Sequence, residues 1–183
     1  MRSDEELADA FRSGDDGAFS TLYERYRRPL FVFGVRMLGS AQAAGDLVQD
    51  TFLGIYERHN ELPRLNNFRG WLFTVGRNRC LTLLRQQKTR GRLGVGADPE
   101  PRTDGPGATL ESEEESRLVR RTLAEMLPEH REVLVLREYQ ELSYREIAVI
   151  TGATESTVKA RLFRARQALA GMLRPALERG GEP

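Results

Sequence analysis

The chain has almost no thiol: Cys80 is its single cysteine, so an intramolecular disulfide cannot form and a cysteine-based metal site lacks its ligands. Histidine is nearly as scarce, with two residues, and no phosphate-cradling glycine loop is present. One thiol and two imidazoles offer no nucleophile–base set and no His/Cys metal cluster. The expectation is a protein that is not an enzyme and needs no cofactor or metal. Long apolar runs are also missing, and Met1-Arg-Ser-Asp-Glu-Glu6 has none of the features of a signal peptide. Those absences predict a cytoplasmic protein with no membrane insertion.

What is present is charge. Charged residues make up 30% of the 183 and hydrophobic ones only 39%, values that suit small helical units with thin cores, or a protein completing its burial on a partner. The net charge is only +1, so information about partners must lie in how the charge is distributed. Between Arg58 and Arg92 stand nine Arg or Lys against a single acid, Glu61. Between Asp98 and Glu115 stand seven acids against one Arg. The acids Glu113 to Glu115 suit the start of a helix, where the dipole favours them.

Gly91 to Gly107 is dense in Gly and Pro and lacks hydrophobic periodicity. It cannot bury enough apolar surface to offset its ordering entropy, which predicts a flexible linker over 91–112. The blocks on either side read as helices, without strand-like alternation, so the predicted fold class is all-α: two small helical domains on a tether. Boundaries fall at 1–17 for an N-terminal extension, 18–90 and 113–174 for the domains, and 175–183 for a tail.

In the first block Phe19, Leu22, Tyr23, Tyr26, Leu30 and Phe33 repeat at helical spacing. Pro29 lies within that run and predicts a helix either kinked or split there. Ser40 is placed to cap a helix whose inward stripe is Val48, Phe52 and Ile55. Asp46, Asp50, Leu53 and Glu57 fall on another face, with Gln49 beside them; by pattern alone an ordinary solvated face is the preferred reading. A loop, NELPRLNN, leads to a third helix bearing Phe68, Trp71, Leu72, Val75, Leu83 and Leu84 on its apolar side. Helical spacing assigns Phe68 and Trp71 to packing rather than to base stacking.

In the second block Pro128 separates two helices and suits the first turn of the latter. Ser143-Tyr-Arg-Glu146 has the spacing of a capping box. A short helix, a turn at Thr151-Gly152 and a second helix then complete a helix-turn-helix pattern over about 142–163. That second helix, TVKARLFRARQALAGML, threads Lys159, Arg161, Arg164 and Arg166 between core positions Val158, Leu162, Ala165 and Leu169. Cations with so little acid near them point to a polyanion. Ser156, Thr157, Lys159, Ala160, Arg161, Phe163 and Arg164 are the candidates at a DNA groove, where the first turns meet base edges and the cations meet phosphates. A plain helical hairpin with solvated arginines is the competing reading.

DLVQDTF followed by the basic, aromatic-bearing FRGWLFTVGRNRC resembles the region-two domain of bacterial RNA polymerase sigma factors, and ELSYREIAVITGATESTVKARLFRARQAL resembles their region-four domain. Both occur in the family's order, over residues 18–90 and 113–174, as in the minimal, extracytoplasmic-function (ECF) group. The resemblance implies a region 2 helical bundle and a region 4 helix-turn-helix domain. Asp46, Leu47, Val48, Gln49, Asp50 and Leu53 would dock on the clamp helices of the largest subunit of core RNA polymerase. Asn66, Asn67, Arg69, Arg77, Asn78, Arg79 and Arg85 would recognise and melt the minus-ten element of promoter DNA, and the helix-turn-helix would read the minus-thirty-five element. An anti-sigma factor is the implied regulator. The sequence departs from the family's common pattern at Gly45, Thr82, Ser156 and Ala160; where the family commonly has Ser, Ala160 does not carry over a polar contact to the upstream element. The alternative is a conventional helix-turn-helix regulator with an N-terminal sensor or dimerisation domain.

Overall fold

A computed structural model of the chain describes residues 2–89 and 110–180, with side chains over 2–89 and 117–174. The predicted linker lies outside the described residues except for 110–112, which begin a helix. Among the described residues all regular structure is helical: α1 (Asp4–Arg12), α2 (Asp16–Leu38), α3 (Ala41–Glu57), α4 (Phe68–Thr89), α5 (Leu110–Glu125), α6 (Pro128–Leu134), α7 (Tyr144–Thr151) and α8 (Glu155–Gly180). A π-helical turn, Val135–Tyr139, continues α6.

The segment expected as an N-terminal extension carries α1, which belongs to the core. Ser3 accepts from the Glu6 backbone while Glu6 reaches back to the Ser3 amide, a complete capping box. Leu7, Ala8 and Phe11 are buried. Asp4 accepts from the Tyr26 hydroxyl and pairs with Arg25 at 2.6 Å, tying α1 to α2. Burial and the neighbouring Asp4 push the Tyr26 phenol well above its usual range.

Helix α2 runs unbroken through Pro29, so the chain is not split there. Ser40 caps α3 by accepting from the Ala43 amide at 3.2 Å. The α2–α3 crossing is close because Gly34 has no side chain. A Cβ built there lies 3.0 Å from the Ala44 Cβ, 3.1 Å from its Cα and 3.1 Å from Leu47 Cδ2. Gly34→Leu is expected to destabilise the fold by at least about 1–3 kcal/mol, read as a lower denaturant midpoint at unchanged slope. Helix α4 lies against α2 through Phe73, whose ring meets Phe33 edge-on at 5.9 Å.

In the C-terminal half, Pro128 occupies the first turn of α6, and Ser143 and Glu146 form the predicted capping box on α7. Gly152 ends α7 at φ 67°, a left-handed conformation that a Cβ disfavours. Thr154 caps α8, its hydroxyl accepting from the Thr157 amide at 3.1 Å. Ile147, Val158, Leu162 and Ala165 close the helix-turn-helix core.

The two halves are not apart. Helix α2 packs against α5, α6 and the π-helical turn, and α4 packs against α7. Val133, Leu134, Val135 and Leu136 are all buried, and one continuous apolar cluster runs from Leu7 to Ala165.

Candidate partner and nucleic-acid interfaces

Three surfaces carry the predicted site residues. On α3, Asp46, Gln49, Asp50, Leu53 and Glu57 are exposed, Leu53 by 50%. Leu47 and Val48, which the resemblance counted with that surface, are in the core, 0% and 7% exposed, Val48 on the inward stripe that its spacing predicts. They share the inward side of the helix with Ala44, Thr51, Phe52 and Ile55, so they hold the face in place without presenting it. Tyr56, 43% exposed, extends the apolar strip next to Leu53 and was not anticipated. Its ring stacks on Phe11 and meets Phe19 edge-on, and the two anchor it.

The predicted minus-ten residues divide into two sets. Asn66, Asn78 and Arg85 are exposed, as is Arg79, which pairs with Asp50 at 3.4 Å. Asn67 is exposed but its side-chain oxygen accepts from the Gly70 amide at 2.8 Å, so that acceptor caps α4 and is not available to a base edge. Glu5 of α1 accepts from the Phe68 amide beside it. Phe68 is buried and Trp71 half-buried against the core, in line with a packing role. Arg69 and Arg77 point into the other half of the chain. Arg69 donates to the Gln140 carbonyl, and Arg77 makes a two-pronged pair with Glu132 at 2.6 and 3.2 Å. Cys80, on the inner side of α4, is fully buried and its thiol is pushed up to about 12 by burial, so it is inert packing.

On α8 the third surface is continuous. Ser156, Lys159, Ala160, Phe163 and Arg164 are all exposed and fall at i, i+3, i+4, i+7 and i+8. Phe163 is 64% exposed, an apolar residue that its own domain leaves uncovered. Thr157 and Arg161 sit at the edge, half-buried, and the Thr157 hydroxyl bonds that of Thr154 at 2.8 Å. Arg166, counted with the uncompensated cations by sequence, pairs with Glu138 at 2.7 Å.

Among the described residues no cluster of acids, His or Cys could hold a metal ion, and no helix is long and apolar enough to cross a membrane.

Similarity to known proteins resolves what these surfaces belong to. The family described as Sigma-70 region 2 matches residues 22–90, and Sigma-70, region 4 matches 116–169. The RNA polymerase sigma-H factor of Pseudomonas aeruginosa is 31% identical over 196 residues, covering 97% of both chains. The chain is a sigma factor of the sigma-70 family, in its ECF group.

Other relatives agree with this sigma factor over most of its length. The ECF sigma factor SigW of Bacillus subtilis is 28% identical, covering 89% of this chain and 92% of its own. Two solved structures share the fold. CnrH in complex with the cytosolic domain of CnrY superposes with a TM-score of 0.73 at 26% identity, covering 94% of this chain and 97% of its own. The sigma factor RpoE of Bartonella quintana, in complex with the anti-sigma factor NepR, gives a TM-score of 0.69 at 25% identity, covering 85% and 96%. As a sigma factor, the protein binds core RNA polymerase and directs promoter-specific transcription initiation, which sets aside the reading as a conventional regulator.

Sequence reasoning missed the sigma factor's contacts between its two halves. Arg131 donates to the Met37 carbonyl at 2.7 Å, and the Gln140 amide donates to the Pro29 carbonyl at 3.1 Å. Arg36 lies 4.7 Å from the centroid of the Tyr139 ring. One signal was available: four successive apolar residues on a helix, Val133 to Leu136, cannot share one face and require cover from two sides.

Proposed function

We propose that the sigma factor grips the polymerase clamp helices through the uncovered stripe of α3, formed by Asp46, Gln49, Asp50 and Leu53, with Tyr56 extending its apolar part. An acid-rimmed apolar strip suits a basic helical partner, the charges steering encounter and the apolar centre supplying affinity. The exposed edge of α8 enters the major groove of the minus-thirty-five element. The loop before α4 and the cations of α4 take the unpaired minus-ten strand, where Asn66 and Asn78 offer amides to base edges and Arg69, Arg77, Arg79 and Arg85 offer charge to phosphates. No bond chemistry is performed by the chain: melting draws on polymerase binding energy and on capture of the displaced strand. It acts where the polymerase acts, in the cytoplasm.

The observation that carries this reading is the unbroken exposed edge Ser156–Lys159–Ala160–Phe163–Arg164 on α8. Its test is duplex binding by the polymerase-bound chain. Arg164→Ala is expected to weaken binding to the upstream element by roughly three- to tenfold and to lower the log–log salt slope by about one. Unchanged affinity and slope would remove Arg164 from the interface. An anti-sigma partner, as in the B. quintana complex, is proposed as the regulator that covers these surfaces.

A further inference from the structure

The loop that joins α3 to α4, residues 58–67, has little in its own backbone to fix its shape. After a short turn of 3-10 helix, His59–Glu61, no backbone–backbone hydrogen bond among the described residues involves Pro63, Arg64, Leu65 or Asn66. Leu62 is its one buried side chain, while Asn66 and Asn67 are exposed.

Helix α1, more than forty positions earlier, touches this loop at both ends. Near its start the Phe11 ring lies 5.5 Å from the His59 ring, whose Nδ1 is 3.1 Å from the Tyr56 carbonyl oxygen. At the far end Glu5 Oε1 accepts from the Phe68 amide at 3.3 Å. That amide is the first of α4 and has no partner within the helix, and the helix dipole favours a carboxylate beside it. Asp4, next to Glu5, takes the Tyr26 hydroxyl and Arg25, and the Tyr26 ring stands 5.6 Å from the Phe68 ring. The Ser3–Glu6 capping box fixes the turn of α1 that carries both acids. Phe68, which follows Asn67, is thus held by α1 through its amide and, by way of Tyr26, through its ring.

We infer that α1 is a clamp on the minus-ten loop and that Glu5 is a positioning residue for strand capture: its bond to the Phe68 amide fixes the end of the loop from which Asn66 reaches the unpaired bases. A loop ordered before the strand arrives has less freedom to lose on binding, so capture is tighter than by a loose one. The effect on DNA rests on the assignment of this loop to the minus-ten strand; the clamp itself does not. Charge separates the role from simple electrostatics. Glu5 is an acid close to a DNA surface, so deleting it would strengthen binding of a polyanion if charge alone mattered. The clamp gives the opposite sign for Glu5→Ala. Glu5→Gln loses the charge as well but keeps an oxygen acceptor for the Phe68 amide.

The clamp is tested in the full free chain by NMR relaxation of backbone amides. Wild type is expected to show ordered amides from Arg64 to Asn67, and Glu5→Ala to lower their order parameters below about 0.6, with α2 and α3 unchanged and Glu5→Gln close to wild type. Low values already in wild type, unchanged values in Glu5→Ala, or a fall spread equally over α2 and α3 would each overturn the clamp. Strand capture is then read with the polymerase holoenzyme and a promoter fragment taken from a start mapped by in vitro transcription, single-stranded over its minus-ten element and carrying 2-aminopurine there. Glu5→Ala is expected to weaken capture by roughly five- to tenfold, with binding of core polymerase and of the duplex upstream element unchanged, and Glu5→Gln to restore it. Tighter capture by Glu5→Ala would leave charge as the only effect and overturn the positioning role. Asn66→Ala tests the loop assignment separately. If it weakens capture and Glu5→Ala does not, the positioning role is overturned; if neither does, the loop is off the strand, which overturns the effect on DNA and leaves the clamp to the relaxation result.

Discussion

Replacing both Asp50 and Leu53 by Arg is expected to weaken binding of core RNA polymerase by about a hundredfold or more, with helix content and melting temperature little changed. Both side chains project from the outward side of α3 and neither belongs to the core, Asp50 being 58% and Leu53 50% exposed. Two added cations would oppose a basic partner helix, and loss of Leu53 would remove the apolar centre of the strip. The Asp50–Arg79 pair is exposed and contributes little to the fold, so breaking it does not confuse the result. Titration of the chain, labelled with a fluorophore at an exposed position, with core polymerase measures the effect. Leu47 and Val48 provide the contrast: polar substitutions there would lower stability first and polymerase affinity only as a consequence. Unaltered affinity in the double variant would take α3 out of the polymerase interface.

The largest effect on stability is expected at Phe73. Phe73→Ala should cost about 3–5 kcal/mol, because it deletes a ring with no exposure and leaves a cavity against Phe33. Phe73→Leu keeps most of the volume and should cost less than half as much. Both are read by denaturant unfolding. The consequence for function is geometric: α4 carries Arg69 and Arg77 on one side and Asn78 and Arg85 on another, and this ring holds the helix against α2. A small cost for Phe73→Ala would mean that α4 is aligned by contacts other than the Phe33–Phe73 pair.

Much of this architecture is legible from residue spacing. Apolar positions at helical period place α2, α3 and α4, and Ser40, Pro128, the Ser143–Glu146 box and Gly152 mark helix ends by known backbone chemistry. Ser3-Asp-Glu-Glu6 has the same capping-box spacing as Ser143 to Glu146, so α1 was readable by the same rule, although a polar opening segment looks like an appendage. The resemblance to region 2 put Leu47 and Val48 on the polymerase surface, whereas their period with Thr51, Phe52 and Ile55 puts them inside. On α8 the alternation of core and exposed positions was sufficient to locate the candidate groove-facing edge.

Pairings between distant segments were not legible. Nothing local to Arg77 marks Glu132, 55 positions away, as its partner. Nor does Gln140 announce that it will hold Arg69 and Pro29. Local periodicity says which side of a helix is buried, not which element buries it. The run Val133 to Leu136 is the exception, since its all-round apolarity demands a second covering layer, which α2 helps to supply.

The most direct measurement is in vitro transcription with purified core RNA polymerase on fragments of the source genome, followed by mapping of transcript 5′ ends. Adding the chain should create new start sites that share one pair of upstream elements. Asp50→Arg with Leu53→Arg should abolish those starts, and Arg164→Ala should reduce them. A well-folded chain that produces no new starts, or starts that survive the α3 double substitution undiminished, would contradict the assignment of polymerase binding to α3.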